Sequence, residues 1–185
     1  MAQGVTVQGE RVCLCPFEDV FWTEGLDWYN DPEIIALTSD DMNPLEEEQF
    51  RAMIQMDLDN AQSMVFGIRN ESDVPIGIGM IRSIDQVHRG CDLHITIGAR
   101  DHWNRGYGGE AIGLMRDYVF QCLDMHKVIS TPFANNGRMV RCLEKCGFQK
   151  EGILRDALWV DGRFIDVVIM GVINSDLPHK SAGRS

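Results

Sequence analysis

The most informative stretch of the sequence is WNRGYGGEA, residues 103–111. It places three glycines, Gly106, Gly108 and Gly109, within four positions, directly before a segment of helical periodicity. Glycine costs conformational entropy on folding, so such a cluster is expected where the backbone must approach another group closely. The unsatisfied N–H groups at the start of a helix bind anions. The stretch therefore predicts an anion-binding loop, to which Arg105 adds positive charge.

The same glycines also match the dinucleotide fingerprint G-x-G-x-x-G/A, at Gly106, Gly108 and Ala111. That fingerprint follows a strand through a tight turn and needs an acidic residue about 20 positions later. Here seven residues, 99–105, separate the preceding strand from the first glycine, and the next strand ends in the non-acidic FANN of residues 133–136. A dinucleotide enzyme is therefore a weak alternative, which a test of NAD binding would detect.

The composition is that of an ordinary globular protein. The chain has 185 residues, 44% of them hydrophobic and 24% charged, which suits one domain with its own core. The start of the chain lacks the features of a signal peptide, and no apolar stretch is long enough to span a membrane. The six cysteines are interpreted as reduced, mostly buried thiols. We therefore expect a cytoplasmic protein with no membrane partner.

The net charge of −11 argues against a nucleic-acid partner, because such proteins present a basic face. The acidity is concentrated between Glu24 and Asp59, where eleven acidic residues stand against one base, Arg51, for a local charge of −10. Part of this run has the pattern of a helix start, with Asn43 as N-cap and Pro44 at the first helical position. The segment is either the solvated face of helices or a surface that steers a cationic ligand.

Residue periodicity predicts an α/β domain of the α+β type, residues 1–174, followed by a polar, flexible tail, residues 175–185. Most neighbouring strands can pair antiparallel, so we expect a mixed, mostly antiparallel sheet of about seven strands with about four helices. The predicted strands are 10–15, 63–69, 75–84, 91–98, 127–133, 153–160 and 163–173, and the predicted helices are 19–29, 44–59, 108–123 and 136–146.

Four blocks of the chain, in order, resemble the general N-acetyltransferase (GNAT) superfamily. The clearest block is IGARDHWNRGYGGEAI, residues 97–112, in which the Q/R-x-x-G-x-G/A motif of the superfamily falls on Trp103, Gly106 and Gly108. The other three are GERVCLCPFEDV (9–20), WYNDPEI (28–34) and NNGRMVRCLEKCGFQKEGILRDALWVDGRFIDVVIMGVI (135–173). They are similar to the opening strand, the end of the first helix, and the last helix with its closing hairpin. The clearest block looks very like the corresponding stretch of the branch that acetylates N-terminal amines of ribosomal proteins, whose relatives acetylate polyamines and other small amines.

The resemblance implies the GNAT fold, with acetyl-CoA as co-substrate and no metal. In the family, the strand before the glycine loop splays away from the next strand, and its backbone pairs with the pantetheine arm and the acetyl carbonyl. The glycine loop holds the pyrophosphate, although Tyr107 is more simply explained as a packing residue. By position, the implied coenzyme contacts are Ile95, Thr96, Ile97, Arg105, Gly106, Tyr107, Gly108, Gly109 and Asn136.

The acceptor amine must be neutral to attack a thioester, so the enzyme needs a base or a water path that removes a proton. Asp92 lies where many relatives carry a Glu, and His94 is two residues on, on the same face of the strand. Together they are the candidate catalytic residues, relaying a proton through water. In the alternative, Asp92 only orients the substrate and His94 packs or faces solvent. Three aspartates of the closing hairpin are weaker candidates for the acceptor pocket: Asp156, Asp161 and Asp166.

Two positions depart from the family pattern. Leu143 replaces a Tyr that is often catalytic in polyamine-type relatives, and Met139 replaces a Ser of the ribosomal-protein branch. Neither side chain can protonate a leaving thiolate. A thiol pKa near 8.5 makes the thiolate a fair leaving group without help. Cys142 and Cys146 have i, i+4 spacing but no partners at metal-site spacing, so they are interpreted as core thiols.

The sequence therefore predicts an acetyl-CoA-dependent N-acetyltransferase that acts on a primary amine. The acceptor is a protein N-terminal amine or a small, cationic amine such as a polyamine or an aminoglycoside. The alternative is an acyl-CoA-binding sensor without efficient turnover, which the two departures favour. Homodimers are common in the family, although the residues themselves indicate no interface.

Overall fold

The strands of the protein form one eight-stranded sheet in a computed structural model that describes residues 4–39 and 41–176. The strands are β1 (Val7–Gln8), β2 (Val12–Pro16), β3 (Met64–Asn70), β4 (Pro75–Asp85), β5 (Gly90–Ile97), β6 (Lys127–Ser130), β7 (Gln149–Val160) and β8 (Arg163–Ile173). The helices are α1 (Asp19–Tyr29), α2 (Pro32–Thr38), α3 (Glu47–Asp59), α4 (Tyr107–Cys122) and α5 (Gly137–Lys145).

The order of strands in the sheet is β1-β2-β3-β4-β5-β6-β8-β7. Every pairing is antiparallel except that of β5 with β6, which is parallel and therefore needs the crossover helix α4. The predicted α+β class and mostly antiparallel sheet are confirmed. The additional strand, β1, has only two residues and is too short to show an alternating pattern.

Helices cover both faces of the sheet, and each face has its own apolar core. On one face, α4 and α5 contribute Met115 and Leu143, both with no exposed surface. On the other face, α1 and α3 contribute Phe21 and Phe50, which are equally buried. The central strands β3 and β4 are consequently buried along most of their length, as expected for strands covered on both sides.

Helix α2 is absent from the sequence prediction, which treats Asn30-Asp31-Pro32 as a break. The break is very short, because Asp31 caps the next helix by accepting the Glu33 N–H at 2.8 Å, and Pro32 takes the first helical position. Helix α3 begins at Glu47 rather than at residue 44, so the predicted Asn43 cap is wrong. The Asn43 side chain instead donates to Asp41.

Most of the predicted tail, residues 177–185, lies outside the described part of the chain. Ser175 and Asp176 belong to a short 3-10 turn, Asn174–Asp176. Within the described residues, no helix is both long enough and apolar enough to span a membrane.

Candidate active site

Strands β5 and β6 separate beyond Asp92, and this split creates the site. Their parallel pairing covers only three residue pairs, the last of which joins Asp92 to Ile129. On its other side, β5 stays paired with β4 as far as Ile97. Within the part of the chain that the structure describes, residues 93–97 therefore have no strand partner along one backbone edge. Of the three positions implied to hold pantetheine, Ile95 and Ile97 turn their backbone groups to this free edge, whereas those of Thr96 face β4.

A cleft of about 360 Å³, which we call the loop cleft, lies against the free edge of β5. It is lined by β5, by the glycine loop and by one face of α5. Among the predicted coenzyme contacts, Arg105 and Tyr107 are not part of its lining. The predicted contacts that line it are Ile95, Thr96, Ile97, Gly106, Gly108, Gly109 and Asn136.

Glycine occurs at positions 106, 108 and 109 for different structural reasons. Gly106 has a φ of +91°, in the left-handed region that side chains disfavour. An added Cβ at Gly108 would lie 3.5 Å from Ile97, and one at Gly109 would lie 3.6 Å from Cys142. These are ordinary contacts, so the fold alone does not require glycine at either position. Both residues line the cleft, and their missing side chains leave the first turn of α4 open to a ligand.

The side chain of Tyr107 points into the core rather than into the cleft. Only 7% of the residue is exposed, and its hydroxyl donates to Glu71 at 2.9 Å. Arg105 is exposed, and its carbonyl accepts a bond from the Arg11 guanidinium at 3.0 Å. At Tyr107, only the backbone N–H remains available to an anion at the start of α4.

The positive charge of the loop cleft comes from α5 and was not predicted. Arg138, Arg141 and Lys145 all line the cleft. Their spacing of i, i+3 and i+7 places them on one face of a helix. This pattern is visible in RMVRCLEK and could have identified the cationic face from sequence, had it been read together with the glycine loop.

Trp103 joins the glycine loop to both sides of the cleft. Its indole Nε1 donates to the carbonyl oxygen of Ile97 at 2.6 Å. The Arg138 guanidinium lies over its ring, 3.8 Å from the centroid. Since the Ile97 carbonyl already accepts this bond, and the backbone groups of Thr96 face β4, the uncommitted part of the β5 edge is centred on Ile95.

A second cavity of about 450 Å³, which we call the inner cavity, lies between the helices α1, α2 and α3 and the split strands. It meets the loop cleft, because six residues line both spaces. These shared residues, which we call the junction, are Leu37, Thr38, Ile95, Thr96, Asn136 and Met139. Two compounds bound in the two cavities would therefore come together at the free edge of β5.

The inner cavity has few charged groups. Arg82 is held by Asp57, which accepts from its Nε at 3.0 Å through both carboxylate oxygens. Asp57 is only 4% exposed and does not line the cavity. It therefore neutralises the charge of Arg82 without itself being accessible from the cavity. Among the described residues that line the cavity, Asp41 is the one carboxylate.

Most of the acidic segment lies outside the inner cavity. Glu33 pairs with Arg100, and Glu47 pairs with Arg51 at 2.8 Å on the surface of α3. Asp40 lies outside the described residues. Most of the −10 charge therefore does not line the cavity, so any attraction of a cation acts at longer range.

The structure separates the two predicted catalytic residues. His94 lines the inner cavity, whereas Asp92 lies where β5 and β6 are still paired and lines neither cavity. Within the described residues there is no direct hydrogen bond between them. Burial, and then the nearby Arg82 charge, lower the pKa of His94, while the carboxylates of Asp92 and Asp57 oppose this shift. His94 is therefore neutral at physiological pH and able to accept a proton.

Tyr29, at the end of α1, also lines the inner cavity and was not predicted. Burial raises the pKa of its hydroxyl, and a hydrogen bond with the Thr96 side chain opposes that rise. Its ring packs on Phe50 with a centroid distance of 5.3 Å. No spacing pattern in WYNDPEI singles out this tyrosine, because the contact with Thr96 depends on how α1 crosses the sheet.

The two family departures lie in different places, one in the core and one at the junction. Leu143 has no exposed surface and belongs to the core, so it does not reach either cavity. Met139 lines both cavities with a thioether. Asn136 caps α5 by accepting the Met139 N–H at 3.1 Å, and its amide donates to the Leu37 carbonyl at 3.4 Å. Asn136 therefore ties α5 to the end of α2 at the junction.

The three hairpin aspartates lie away from both cavities. Asp166 accepts the backbone N–H of Asp156 at 2.8 Å, which holds a bulge in β7. Asp161 has a φ of 46° in the predicted two-residue turn. Of the three carboxylates, that of Asp166 therefore has a structural role in the hairpin.

All six cysteines are free thiols. Cys146 donates to the Gly109 carbonyl at 3.3 Å, whereas Cys142 lines the loop cleft. The neighbouring Cys146 lowers the pKa of Cys142, and the same interaction raises the pKa of Cys146. Within the described residues, no three metal-ligating side chains converge.

A sheet split beside a glycine-rich helix start, with two cavities meeting at the split, is the arrangement that the resemblance to the GNAT superfamily implies. The model of the GNAT acetyltransferase domain family matches residues 11–149. The chain belongs to this family.

Curated relatives agree with this assignment, and a solved structure shares the fold. The chain is 30% identical to the spermidine N(1)-acetyltransferase of Vibrio cholerae, over 66% of this chain and 70% of the relative. It is 29% identical to the uncharacterized N-acetyltransferase p20 of Bacillus licheniformis, over 80% of this chain and 85% of the relative. The crystal structure of a Vibrio cholerae spermidine N-acetyltransferase with CoA and spermine has a TM-score of 0.81, at 23% identity, over 91% of this chain and 98% of that one.

Proposed function

We propose that this protein is an N-acetyltransferase that moves the acetyl group of acetyl-CoA to a primary amine. The observation that carries the proposal is the meeting of the loop cleft and the inner cavity at the free edge of β5. Such a junction holds a donor and an acceptor in line, which lowers the entropic part of the barrier. Membership of the GNAT family supports the same reaction.

The residues of the loop cleft fit acetyl-CoA. Arg138, Arg141 and Lys145 supply positive charge for its phosphates, and the start of α4 supplies backbone N–H groups. The free edge of β5 offers backbone groups to the amides of the pantetheine arm. When bound, the coenzyme supplies an activated thioester. The protein would place that thioester at the junction and orient it toward the inner cavity.

His94 is the base that we assign to the acceptor amine. It lines the inner cavity and is neutral, whereas Asp92 lies behind the point where the strands separate. Asp92 therefore acts on His94 through its charge and not by direct contact with the amine.

The acceptor enters as a primary amine through the inner cavity. Asp41 offers one carboxylate to an ammonium group, and the surrounding acidic segment attracts cations at longer range. A peptide N-terminus fits a cavity with one lining carboxylate. The names of spermidine-acetylating relatives support a small, cationic amine such as a polyamine or an aminoglycoside.

The test is thiol release from acetyl-CoA across a panel of spermidine, an aminoglycoside, and short peptides that begin with Ala or Ser. Amine-dependent release is the expected result, and competition between acceptors by initial rate then names the preferred class. Mass spectrometry of the product would verify one added acetyl group.

A second function, an acyl-CoA-binding sensor without turnover, is favoured by one observation. Neither Leu143, buried in the core, nor Met139, at the junction, can protonate a leaving thiolate. A sensor would be stabilised against unfolding by CoA yet would release no thiol with any amine in the panel.

A further inference from the structure

The junction contains few groups that could give a proton to the leaving sulfur. A proton donor is needed there only if the protein is the transferase proposed above. Among the six junction residues, only Thr38, Thr96 and Asn136 carry protic side chains. The Thr38 hydroxyl already donates to the Ile34 carbonyl at 2.8 Å, and Asn136 uses its amide to cap and tie helices. Thr96 is therefore the junction hydroxyl that is not committed to the backbone of a helix.

Thr96 has an acidic partner beside it. Tyr29 and Thr96 line the same inner cavity, and the Thr96 side chain lies close enough to the Tyr29 hydroxyl to oppose the rise that burial causes in its pKa. A phenol, with a pKa near 10, is a far better proton source than an aliphatic alcohol. An amine in the inner cavity and a thioester in the loop cleft would both reach Thr96, because it lines both spaces.

The position of Tyr29 is fixed by tight packing on either side of it. Its own ring packs against that of the fully buried Phe50. The preceding residue, Trp28, presses so closely on the end of β5 that a Cβ added at Gly98 would lie 2.0 Å from the indole. The end of α1 is thus pressed onto the end of β5, two residues beyond Thr96.

We propose that the Thr96 hydroxyl protonates the leaving sulfur, and that Tyr29 is the positioning residue that orients this hydroxyl and replaces its proton. This pair would take the place of the missing Tyr and Ser of the family on α5. The proposal adds a role for the Thr96 side chain to the one expected of its backbone.

The atoms and electrons of the step balance. The amine nitrogen forms a bond to the acetyl carbon, and its surplus proton passes to His94. The C–S bond breaks, and its electron pair stays on sulfur. Sulfur takes the proton of Thr96, and the Thr96 oxygen takes the proton of Tyr29. The proton on His94 then returns to the Tyr29 oxygen through water in the inner cavity, which both side chains line. Thioester and amine are consumed, and amide and thiol are formed.

The test measures kcat and KM of the full chain with the best amine of the panel. The variants are Tyr29→Phe, Thr96→Val, the double variant, and Thr96→Ser, which keeps the hydroxyl. Tyr118→Phe is the matched control, because Tyr118 packs against Phe66 and lines neither cavity. Circular dichroism and CoA binding by calorimetry verify that each variant is folded and loaded.

We expect Tyr29→Phe and Thr96→Val each to lower kcat about a hundredfold, the low end for a lost acid–base group, with KM for acetyl-CoA changed less than about twofold. The double variant should lose no more than either single variant, since the two hydroxyls act as one unit. Thr96→Ser should recover most of the kcat lost in Thr96→Val, and Tyr118→Phe should match the wild type.

Other outcomes overturn the proposal in distinguishable ways. A folded Tyr29→Phe variant with wild-type kcat removes Tyr29 from the reaction. Single losses that multiply in the double variant show two independent effects and contradict the coupling. A wild-type protein that acetylates no amine, despite binding CoA, overturns the transferase function and this proposal with it.

Discussion

The indole of Trp103 donates a hydrogen bond of 2.6 Å to the carbonyl oxygen of Ile97, and this bond joins the glycine loop to the last residue of β5. The loop and the strand edge are thereby held in one arrangement before any ligand binds. Preorganisation of this kind lowers the entropic cost of binding.

Replacing Trp103 with Phe removes that bond and keeps an aromatic ring. A lost hydrogen bond of about 1 kcal/mol corresponds to roughly fivefold weaker binding of CoA. Calorimetric titration with CoA measures the change. Trp159→Phe is the control, since Trp159 is 60% exposed on the closing hairpin. Equal affinities in the two variants would show that the bond does not organise the cleft.

The cationic face of α5 should dominate the electrostatics of coenzyme binding. Arg141→Ala and Lys145→Ala should each weaken CoA binding about tenfold at low salt, and less at high salt, because charge-assisted bonds to phosphate are lost. Arg155→Ala and Lys150→Ala are exposed controls outside the cleft. An equal loss in variants and controls would point to net charge rather than to a site.

The Arg82–Asp57 pair should be structural as well as electrostatic. Asp57 is only 4% exposed, and Asp57→Asn leaves the Arg82 guanidinium without its charged partner. We expect a loss of about 2–4 kcal/mol in the free energy of unfolding, measured by urea denaturation. Asp59→Asn, on the exposed side of the same helix, should change stability by less than about 0.5 kcal/mol.

The pH profile distinguishes the two candidate bases. A base must be deprotonated to act, so the lowered pKa of His94 should keep kcat high down to a pH below 6.5. Asp92 opposes this lowering, so Asp92→Asn should move the acid limb to still lower pH with little loss of kcat. His94→Ala should lower kcat about a hundredfold. Loss of activity in Asp92→Asn together with a normal His94→Ala would reverse the assignment.

Two glycines near the site should respond in opposite directions to alanine. At Gly98 the new Cβ would lie 2.0 Å from the Trp28 indole, whereas at Gly113 nothing lies within 4 Å. Gly98→Ala should cost about 1–3 kcal/mol of stability through overpacking. Gly113→Ala, inside α4, should gain about 0.5–1 kcal/mol from helix propensity. Thermal unfolding of both variants measures the two changes in stability. Stabilisation by Gly98→Ala would contradict the close contact.

The sequence predicted the parts of the fold that depend on local patterns. Helix α1 has its predicted limits, 19–29, because its apolar spacing is regular. Helix α2 was missed because Asp31 and Pro32 follow the end of one helix and begin the next. Both residue types are common after a helix as well as at the start of one, so residue type alone does not distinguish a break from a new helix. The third helix starts later than predicted because Asn43 bonds to Asp41 instead of capping it.

At the site, sequence reasoning succeeded where a motif is contiguous. The glycine loop and the β5 positions line the loop cleft. The sequence prediction assigned the positive charge to Arg105, yet the cationic side chains that line the cleft belong to α5. Which face of a helix is turned toward a cleft depends on tertiary packing, which the local sequence does not show. Asp92 and His94 share a strand face, but β6 still pairs with β5 at Asp92 and so only His94 reaches the inner cavity. Tyr29 carries no local signal at all.

Because β5 and β6 separate, the sheet has room for one more strand beside residues 93–97. Under the proposed function, the pantetheine arm completes this edge as a temporary ninth strand beside the eight of the protein. Amide hydrogen exchange at Ile95 should then slow in proportion to coenzyme occupancy. At a hundredfold excess over Kd the bound coenzyme adds about 2.7 kcal/mol to the stability of the whole domain. The thermal tolerance of this protein would thus follow the supply of its own co-substrate.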